Sequence, residues 1–306
     1  MIPYPEASIA PAASPRMIER PCPLCGAADT APYLAVGDTT FGFPGMFQIV
    51  RCRRCTMRFT NPQLSPEELP AYYPPDYSAH ASDRPAKRRT ARIGRDPWDR
   101  LPETGGQRLL DVGCGSGAYL LRWKELGWSV YGVEPSVAAV ETARRYGLDV
   151  IQGVIPGAAL SEPPFEVITM LGVLDHVPEP LATLRVLGPK LASGGRLIIS
   201  VPNTSSAAAD IFKEHWPGWD LPRHQNHFTP ETLTEMLRRA GFTRVDLHWK
   251  RRTSRWQRGA QLRAASSGAL GWRLLARSRN LCSLLAHLRS RGRRSDEIVA
   301  VALHGA

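Results

Sequence analysis

Leu109-Leu110-Asp111-Val112-Gly113-Cys114-Gly115-Ser116-Gly117 is a hydrophobic run that enters a glycine-rich turn, with a helical pattern starting at Ala118. Glycine is needed in such a turn because the backbone takes angles that a Cβ would penalise, and because a ligand must lie against bare main chain. The next apolar run, Ser129 to Val133, ends on Glu134, where a carboxylate can accept hydrogen bonds from both hydroxyls of a ribose. Strand, glycine turn, helix, strand and acid in this order predict an α/β domain with a parallel sheet and a nucleotide-type ligand at its carboxyl edge.

Working outward, short apolar runs alternate with amphipathic helices from about Leu101 onward. Strands fit at 108–112, 129–133, 149–151, 165–170, 196–201, 243–249 and 297–303, and the last two suit an antiparallel hairpin at the sheet edge. Helices fit at 118–126, from Ser136 to Gly147, and at about 180–191, and a further helix opens at Thr229-Pro230 and stops at Gly241. No internal repeat is visible.

Two ligand classes share the ribose acid, nicotinamide dinucleotides and S-adenosylmethionine. The turn reads Gly-x-Gly-x-Gly with Asp111 two residues ahead of it, and Ala118 stands where a dinucleotide loop usually has its third glycine. S-adenosylmethionine has no pyrophosphate to rest on a helix N-terminus, but its ammonium group seeks a carboxylate, which Asp111 supplies. Further stretches support the same choice: Gly132-Val133-Glu134-Pro135-Ser136, Phe165 to Met170, Val173-Leu174-Asp175-His176-Val177, and Gly194-Gly195 through Asn203. On these motifs residues 107–249 resemble the class I S-adenosylmethionine-dependent methyltransferases, of the type 11 or type 23 group. The resemblance implies a Rossmann-like sheet of seven strands. It also implies that Asp111, Gly113 and Gly115, with Cys114 between them, line the methionine end, that Glu134 followed by Pro135 binds the ribose, and that Met170 and Leu171 border the cofactor. The acidic residue that the family often carries near Gly153-Val154 for the adenine amino group is missing here, so a backbone carbonyl is expected in its place.

A sulfonium methyl is already activated, so the protein has chiefly to hold the acceptor in line and accept its proton. His176 follows the fourth strand of the sheet, where the family places residues beside the methyl group. Residues 219–228, Trp-Asp-Leu-Pro-Arg-His-Gln-Asn-His-Phe, resemble a family segment that forms part of a lid, here taken as 202–228, over the acceptor pocket. His176, His224 and His227 are therefore the candidate bases, and for each the competing reading is a loop histidine hydrogen-bonded to backbone.

Ahead of this domain, Cys22-Pro23-Leu24-Cys25 and Cys52-Arg53-Arg54-Cys55 are two Cys-x-x-Cys pairs separated by 26 residues. Four thiolates so arranged make a closed tetrahedral site, which points to a structural zinc; a reducible dithiol pair is the alternative. Zinc binding would give residues 20–80, too few for a core of their own, a means of folding, and the segment looks like the zinc-ribbon head of some bacterial sugar and natural-product methyltransferases. Cys114 and Cys282 read as ordinary buried thiols. Residues 1–19, rich in Pro and Ala, read as a mobile arm, and 81–100 as a basic linker.

The chain has 306 residues, 43% of them hydrophobic, enough for one α/β core, expected over 101–306, and a small accessory module. The net charge of +11 is concentrated: residues 250–295 hold thirteen Lys and Arg and no Asp or Glu, and the rest of the chain is close to neutral. Within that stretch Leu274, Leu281, Leu284, Leu285 and Leu288 recur at helical spacing among arginines. This basic helical insertion could cover the active site, grip a phosphorylated acceptor, lie on an anionic membrane, or pack on the domain with a solvated face. No apolar run is long enough to span a membrane and the first twenty residues lack a signal-peptide core, so a soluble cytoplasmic protein is expected. The reading as a whole is a methyltransferase of a small-molecule acceptor: a sugar, a nucleotide- or lipid-linked glycan, or a secondary metabolite. An RNA methyltransferase and a non-catalytic cofactor-binding scaffold are the alternatives. Against RNA, few aromatics interleave with the arginines.

Overall fold

The computed structural model describes residues 15–74, 77, 107–160 and 164–305. The basic linker expected at 81–100 and residues 1–14 of the expected arm lie outside the described residues. The amino-terminal part contains β1 (Met17–Ile18), β2 (Thr30–Gly37), β3 (Met46–Cys52), β4 (Arg58–Thr60) and β5 (Gln63–Leu64), followed by a 3-10 turn over Leu69–Tyr72. Met17 and Ile18, read from sequence as part of the arm, pair antiparallel with Leu64 and Gln63.

The large domain begins with β6 (Arg108–Val112), α1 (Ala118–Glu125), β7 (Ser129–Glu134), α2 (Val137–Arg145), β8 (Asp149–Gln152) and β9 (Phe165–Leu171). It continues with α3 (Pro180–Leu187), β10 (Leu191–Pro202), α4 (Ala207–Phe212), β11 (Asn226–His227), α5 (Pro230–Arg239) and β12 (Phe242–Lys250). Then come α6 (Thr253–Ser267), α7 (Leu270–Arg277), α8 (Arg279–Arg289) and β13 (Glu297–His304). Seven of the strands form one sheet in the order β12-β13-β10-β9-β6-β7-β8. Only β13 runs against its neighbours: it is antiparallel to both β10 and β12, while the pairs from β10 through β8 are parallel. The expected hairpin of the last two strands is present, with β12 at the edge and β13 inserted beside β10.

Local chemistry explains the boundaries. Leu109, Leu110 and Val112 are buried on both sheet faces, as a central parallel strand covered by helices requires. The Ser136 side chain caps α2 by accepting from the Ala139 N–H, and Thr229 and Thr232 form a reciprocal capping box ahead of α5, with Pro230 at its first turn. Removing such a cap typically costs about 1 kcal/mol.

The amino-terminal module is not a separate body. β2, β3 and β4 form an antiparallel sheet, and its fourth strand is β11, contributed by the large domain. The main-chain N–H of Thr60 also donates to the Gln225 carbonyl. Cys22, Leu24, Val50, Met57 and Phe59 share one core cluster with Val112, Met170, Phe228 and Met236. Each large apolar side chain buried across this junction contributes about 1.5–3 kcal/mol, so the two parts stabilise each other.

This junction changes the meaning of the segment 202–228. Read from sequence as a lid, it is interior over its second half: residues 218–230 are all buried, and Asn226 and His227 among them join the cysteine-bearing sheet as β11, while Asp210 and Lys213 in its first half are exposed. The basic insertion is not one helix but three. Gly268 ends α6 in the left-handed conformation at φ 66°, and Ser278 breaks the next stretch and caps α8 by accepting from the Leu281 N–H. These helices bury Trp256, Leu275, Cys282 and Ala286 in one core cluster with Phe212, Trp216, Leu69 and Tyr72.

Candidate active site and metal centre

The glycine turn leaves β6 with Gly113, Gly115 and Gly117 at φ 72°, 54° and 83°. At Gly113 a Cβ would also come within 2.5 Å of a Val173 methyl, so both backbone angle and space demand glycine there. Asp111 and Thr169 are register partners on neighbouring strands, so their side chains share a face of the sheet. The Thr169 hydroxyl donates to Asp111 Oδ1 at 2.6 Å. Burial pushes the Asp111 carboxyl up to about 7, with the Thr169 hydrogen bond opposing and nearby Glu134 adding to the shift. A buried carboxyl of this kind is relieved by a cation, and an ammonium group suits it. Glu134 closes the turn from the far side: Oε2 accepts the Gly115 N–H and Oε1 the Ser136 N–H, both at 2.9 Å. Burial raises its pKa, and these two hydrogen bonds partly restore the charged form.

In front of the turn lies a cavity of about 460 Å³, within the usual range for small-ligand sites. Gly113, Val133 and Pro135 form one wall, Gly153 to Pro156 another, and His176 to Glu179 a third. The fourth wall is Pro66, Leu69, Pro70 and Tyr73 of the amino-terminal module, which nothing in the sequence marked as site residues. Of the residues expected to hold the cofactor, Gly113 and Pro135 line this space; Asp111, Cys114, Gly115 and Glu134 are buried behind the wall. The Cys114 thiol turns back against Gly132 and Leu120 in the core. Met170 and Leu171 do not line the cavity: Met170 points into the core beneath the sheet, and Leu171, next along the strand, is exposed.

The three candidate histidines part company. His176 alone lines the cavity. Its Nδ1 lies 2.8 Å from the Tyr73 hydroxyl, and its ring meets that of His224 edge to face with centroids 4.5 Å apart. Burial, reinforced by the adjacent His224, lowers His176 to about 4, so the ring is neutral at physiological pH. His224 sits behind it, with Nδ1 3.0 Å from the Gly218 carbonyl and Nε2 3.1 Å from Asp175 Oδ2. Because Nδ1–H is committed to Gly218, one further proton must lie between Nε2 and the Asp175 carboxylate. Burial drives Asp175 up and His224 down to about 4, favouring an uncharged pair. His227 does not line the cavity either. Thr60 donates its single hydroxyl proton to the His224 carbonyl, so His227 Nε2–H donates to Thr60 Oγ1 at 3.1 Å. Burial holds His227 well below its ordinary pKa, and its contacts tie β4 to β11.

Behind the histidines, Arg223 is fully buried between two carboxylates. It donates to both oxygens of Asp38, at 2.7 and 3.0 Å, to Asp220 Oδ1 at 2.8 Å and to the Tyr72 carbonyl at 3.0 Å. Asp38 comes from the turn after β2, so this ion pair also spans the junction. Asp38, Tyr73, Asp175 and Asp220 were not read as functional from sequence. Each is an ordinary residue in its own stretch and gains meaning only from partners far away in the chain.

Cys22, Cys25, Cys52 and Cys55 converge, with all four Sγ atoms within 4.8 Å of one another and the closest pairs 3.5 and 3.6 Å apart. Sulfurs about 2.3 Å from a tetrahedral zinc lie about 3.8 Å from each other, so the cluster fits that ion. The two knuckles repeat one turn: the Gly26 N–H donates to the Cys22 carbonyl and the Thr56 N–H to the Cys52 carbonyl, with Gly26 and Thr56 at φ 74° and 62°.

A methyltransferase-domain family model matches residues 78–247. The chain is 30% identical over 158 residues to the ubiquinone biosynthesis O-methyltransferase of Xanthomonas euvesicatoria, across 47% of this chain and 66% of that protein. It is 31% identical over 151 residues to the protein of the same name from Xanthomonas oryzae, across 45% and 63%. The chain thus spans just under two thirds of the length of these relatives. A solved S-adenosylmethionine dependent methyltransferase from Mesorhizobium loti is similar with a TM-score of 0.46 and 19% identity, over 66% of this chain and 93% of that one. Since the family model takes in more than half of the sequence, and the glycine turn, the acid that ends β7 and the strand order all fall where such a domain needs them, this chain belongs to the class I S-adenosylmethionine-dependent methyltransferases.

Proposed function

We propose that this protein transfers the methyl group of S-adenosylmethionine to a hydroxyl of a small, largely apolar acceptor, and that His176 takes up the acceptor's proton. The observation that carries the reading is the position of His176: a neutral imidazole on the wall of the cavity, beside Gly113 and held by Tyr73. When bound, the cofactor supplies a methyl group on a positively charged sulfur, and transfer leaves a neutral thioether. Asp111, just behind the glycine turn, would hold the ammonium end and Glu134 the ribose. When the Tyr73 hydroxyl turns to the Arg223 carbonyl, 3.5 Å away, His176 Nδ1–H donates to Tyr73 and the Nε2 lone pair is left to accept a proton. Pro66, Leu69, Pro70, Val173 and Val177 exclude water around the acceptor. The names of the relatives support oxygen as the acceptor atom, and the apolar wall supports a metabolite or lipid-linked molecule over a nucleic acid.

The reading includes a structural zinc at the four cysteines. With all four positions taken by sulfur, the ion would offer no open site to substrate and would act by fixing the β2-β3-β4 sheet, from which the chain runs through β5 to the Pro66–Tyr73 wall. The test is incubation with methyl-labelled cofactor and fractionated extract of the source cells, with calorimetric titration of the methyl donor and its demethylated product alongside. Label is expected in the organic-soluble small-molecule fraction. Label only in RNA, or no binding of either cofactor form at millimolar concentration, overturns the proposal.

A further inference from the structure

We propose that the leucine and arginine face of α7 and α8 docks on an anionic phospholipid bilayer. Leu270, Leu274, Leu281, Leu284 and Leu288 are 47% to 71% exposed, while their helices are anchored beneath by Leu275, Cys282 and Ala286. On α8 the three exposed leucines lie within an arc of about 60° at the helical turn angle, so they form a stripe and not a scatter. Isolated exposed leucines are ordinary on a protein surface, but such a stripe marks a contact.

Charge selects the occupant. The arginines of α6 are engaged: Arg255 and Arg263 pair with Glu297 and Glu214, and Arg258 donates to the Thr39 carbonyl. Arg273, Arg277, Arg279, Arg289 and Arg291, around the leucine stripe, are all exposed and have no ion pair among the described residues. A second copy of the chain would bring this acid-free, arginine-rich face against itself, and like charges would repel. A nucleic acid would satisfy the arginines and leave the leucines facing phosphate. At the interface of an anionic bilayer the leucines enter the acyl boundary while the guanidinium groups stay with the headgroup phosphates. No helix among the described residues is long and apolar enough to cross a membrane, so the contact is peripheral. The same hydrophobic cluster that anchors α7 and α8 includes Leu69 on the cavity wall, so the docked face and the cavity are parts of one packed unit.

The test is flotation of the full chain with vesicles of phosphatidylcholine and phosphatidylserine, against vesicles of phosphatidylcholine alone. Each engaged basic residue is worth about fivefold in partitioning, so a preference of at least about tenfold for the anionic vesicles is expected, falling as salt rises. The L281Q/L284Q/L288Q variant should lose most of the binding, and R273Q/R277Q/R279Q should lose the preference for anionic lipid. Circular dichroism and thermal midpoint verify that both variants fold, as expected for changes at exposed helical positions. Equal binding to neutral vesicles, undiminished binding by the leucine variant, or no binding by the folded wild type overturns the proposal. Concentration-dependent dimers that the leucine variant dissolves, without vesicle binding, would assign the face to a second copy.

Discussion

The Tyr73 hydroxyl lies 2.8 Å from Nδ1 of His176, so a residue of the cysteine-bearing module holds the imidazole that lines the cavity of the methyltransferase domain. The module therefore completes the site. Its Pro66–Tyr73 turn is one wall of the cavity that the glycine turn also lines, and the ring of His176 is wedged between Tyr73 and His224.

Replacing His176 by Ala is expected to lower kcat by roughly 10²- to 10⁴-fold, the range for loss of a general base, with cofactor affinity near wild type. Tyr73→Phe should leave a smaller defect of the same kind. His227→Ala should act on stability instead, by about 1–3 kcal/mol, because it removes the buried donor to Thr60 Oγ1 and empties the space of the ring between β4 and β11. Steady-state kinetics with calorimetric titration of the cofactor separate these outcomes.

Arg223→Met removes the guanidinium and strands Asp38 and Asp220 in the interior. Such a loss costs about 3–5 kcal/mol. Adding Asp38→Asn and Asp220→Asn to the same chain should recover part of it. Urea unfolding midpoints read both changes, and a single variant as stable as wild type would show that the buried pair contributes nothing.

Cofactor binding should depend on pH through Asp111. Its pKa is raised to about 7, above the unfolded value, so the protonated form is favoured in the folded chain. The stability that this confers is complete at acid pH and is lost as pH rises toward 7; binding an ammonium group runs the other way, because it needs the carboxylate. Affinity for the methyl donor is therefore expected to rise by up to about tenfold per unit between pH 5.5 and 7, then to level off. Asp111→Asn should bind more weakly and flatten this profile in calorimetric titrations.

Purified without chelator, the protein should carry close to one zinc per chain. Cys52→Ala should lose the metal, lower the thermal midpoint and reduce turnover, since β3 and β4 carry the sheet that β11 joins. Elemental analysis and thermal unfolding on the same preparations check the coupling.

Gly113→Ala meets two obstacles, φ of 72° and the Val173 methyl 2.5 Å from the new Cβ. The backbone part alone is about 1–2 kcal/mol. Val173→Ala in the same chain should relieve the contact and leave the backbone part, so thermal midpoints of the single and double variants apportion the two.

What the sequence determined by itself is local. The glycine turn, the Ser136 and Thr229 caps, the alternation of apolar runs and the paired cysteines each express their chemistry within a few residues, and the sheet, its helices and the thiol cluster follow from them. The tertiary structure alone decided which residues enclose the cavity and what each histidine does. His176, His224 and His227 look alike along the chain. They are told apart by Tyr73, Asp175 and Thr60, and Tyr73 and Thr60 lie 103 and 167 residues from their histidines. Contacts over such separations leave no period or spacing to read, because they arise only when two packed layers bring unrelated stretches together. The buried segment 218–230 shows the same limit: its polar residues suggest an exposed lid, and only the sheet packed over it, with Arg223 satisfied by Asp38, makes it interior.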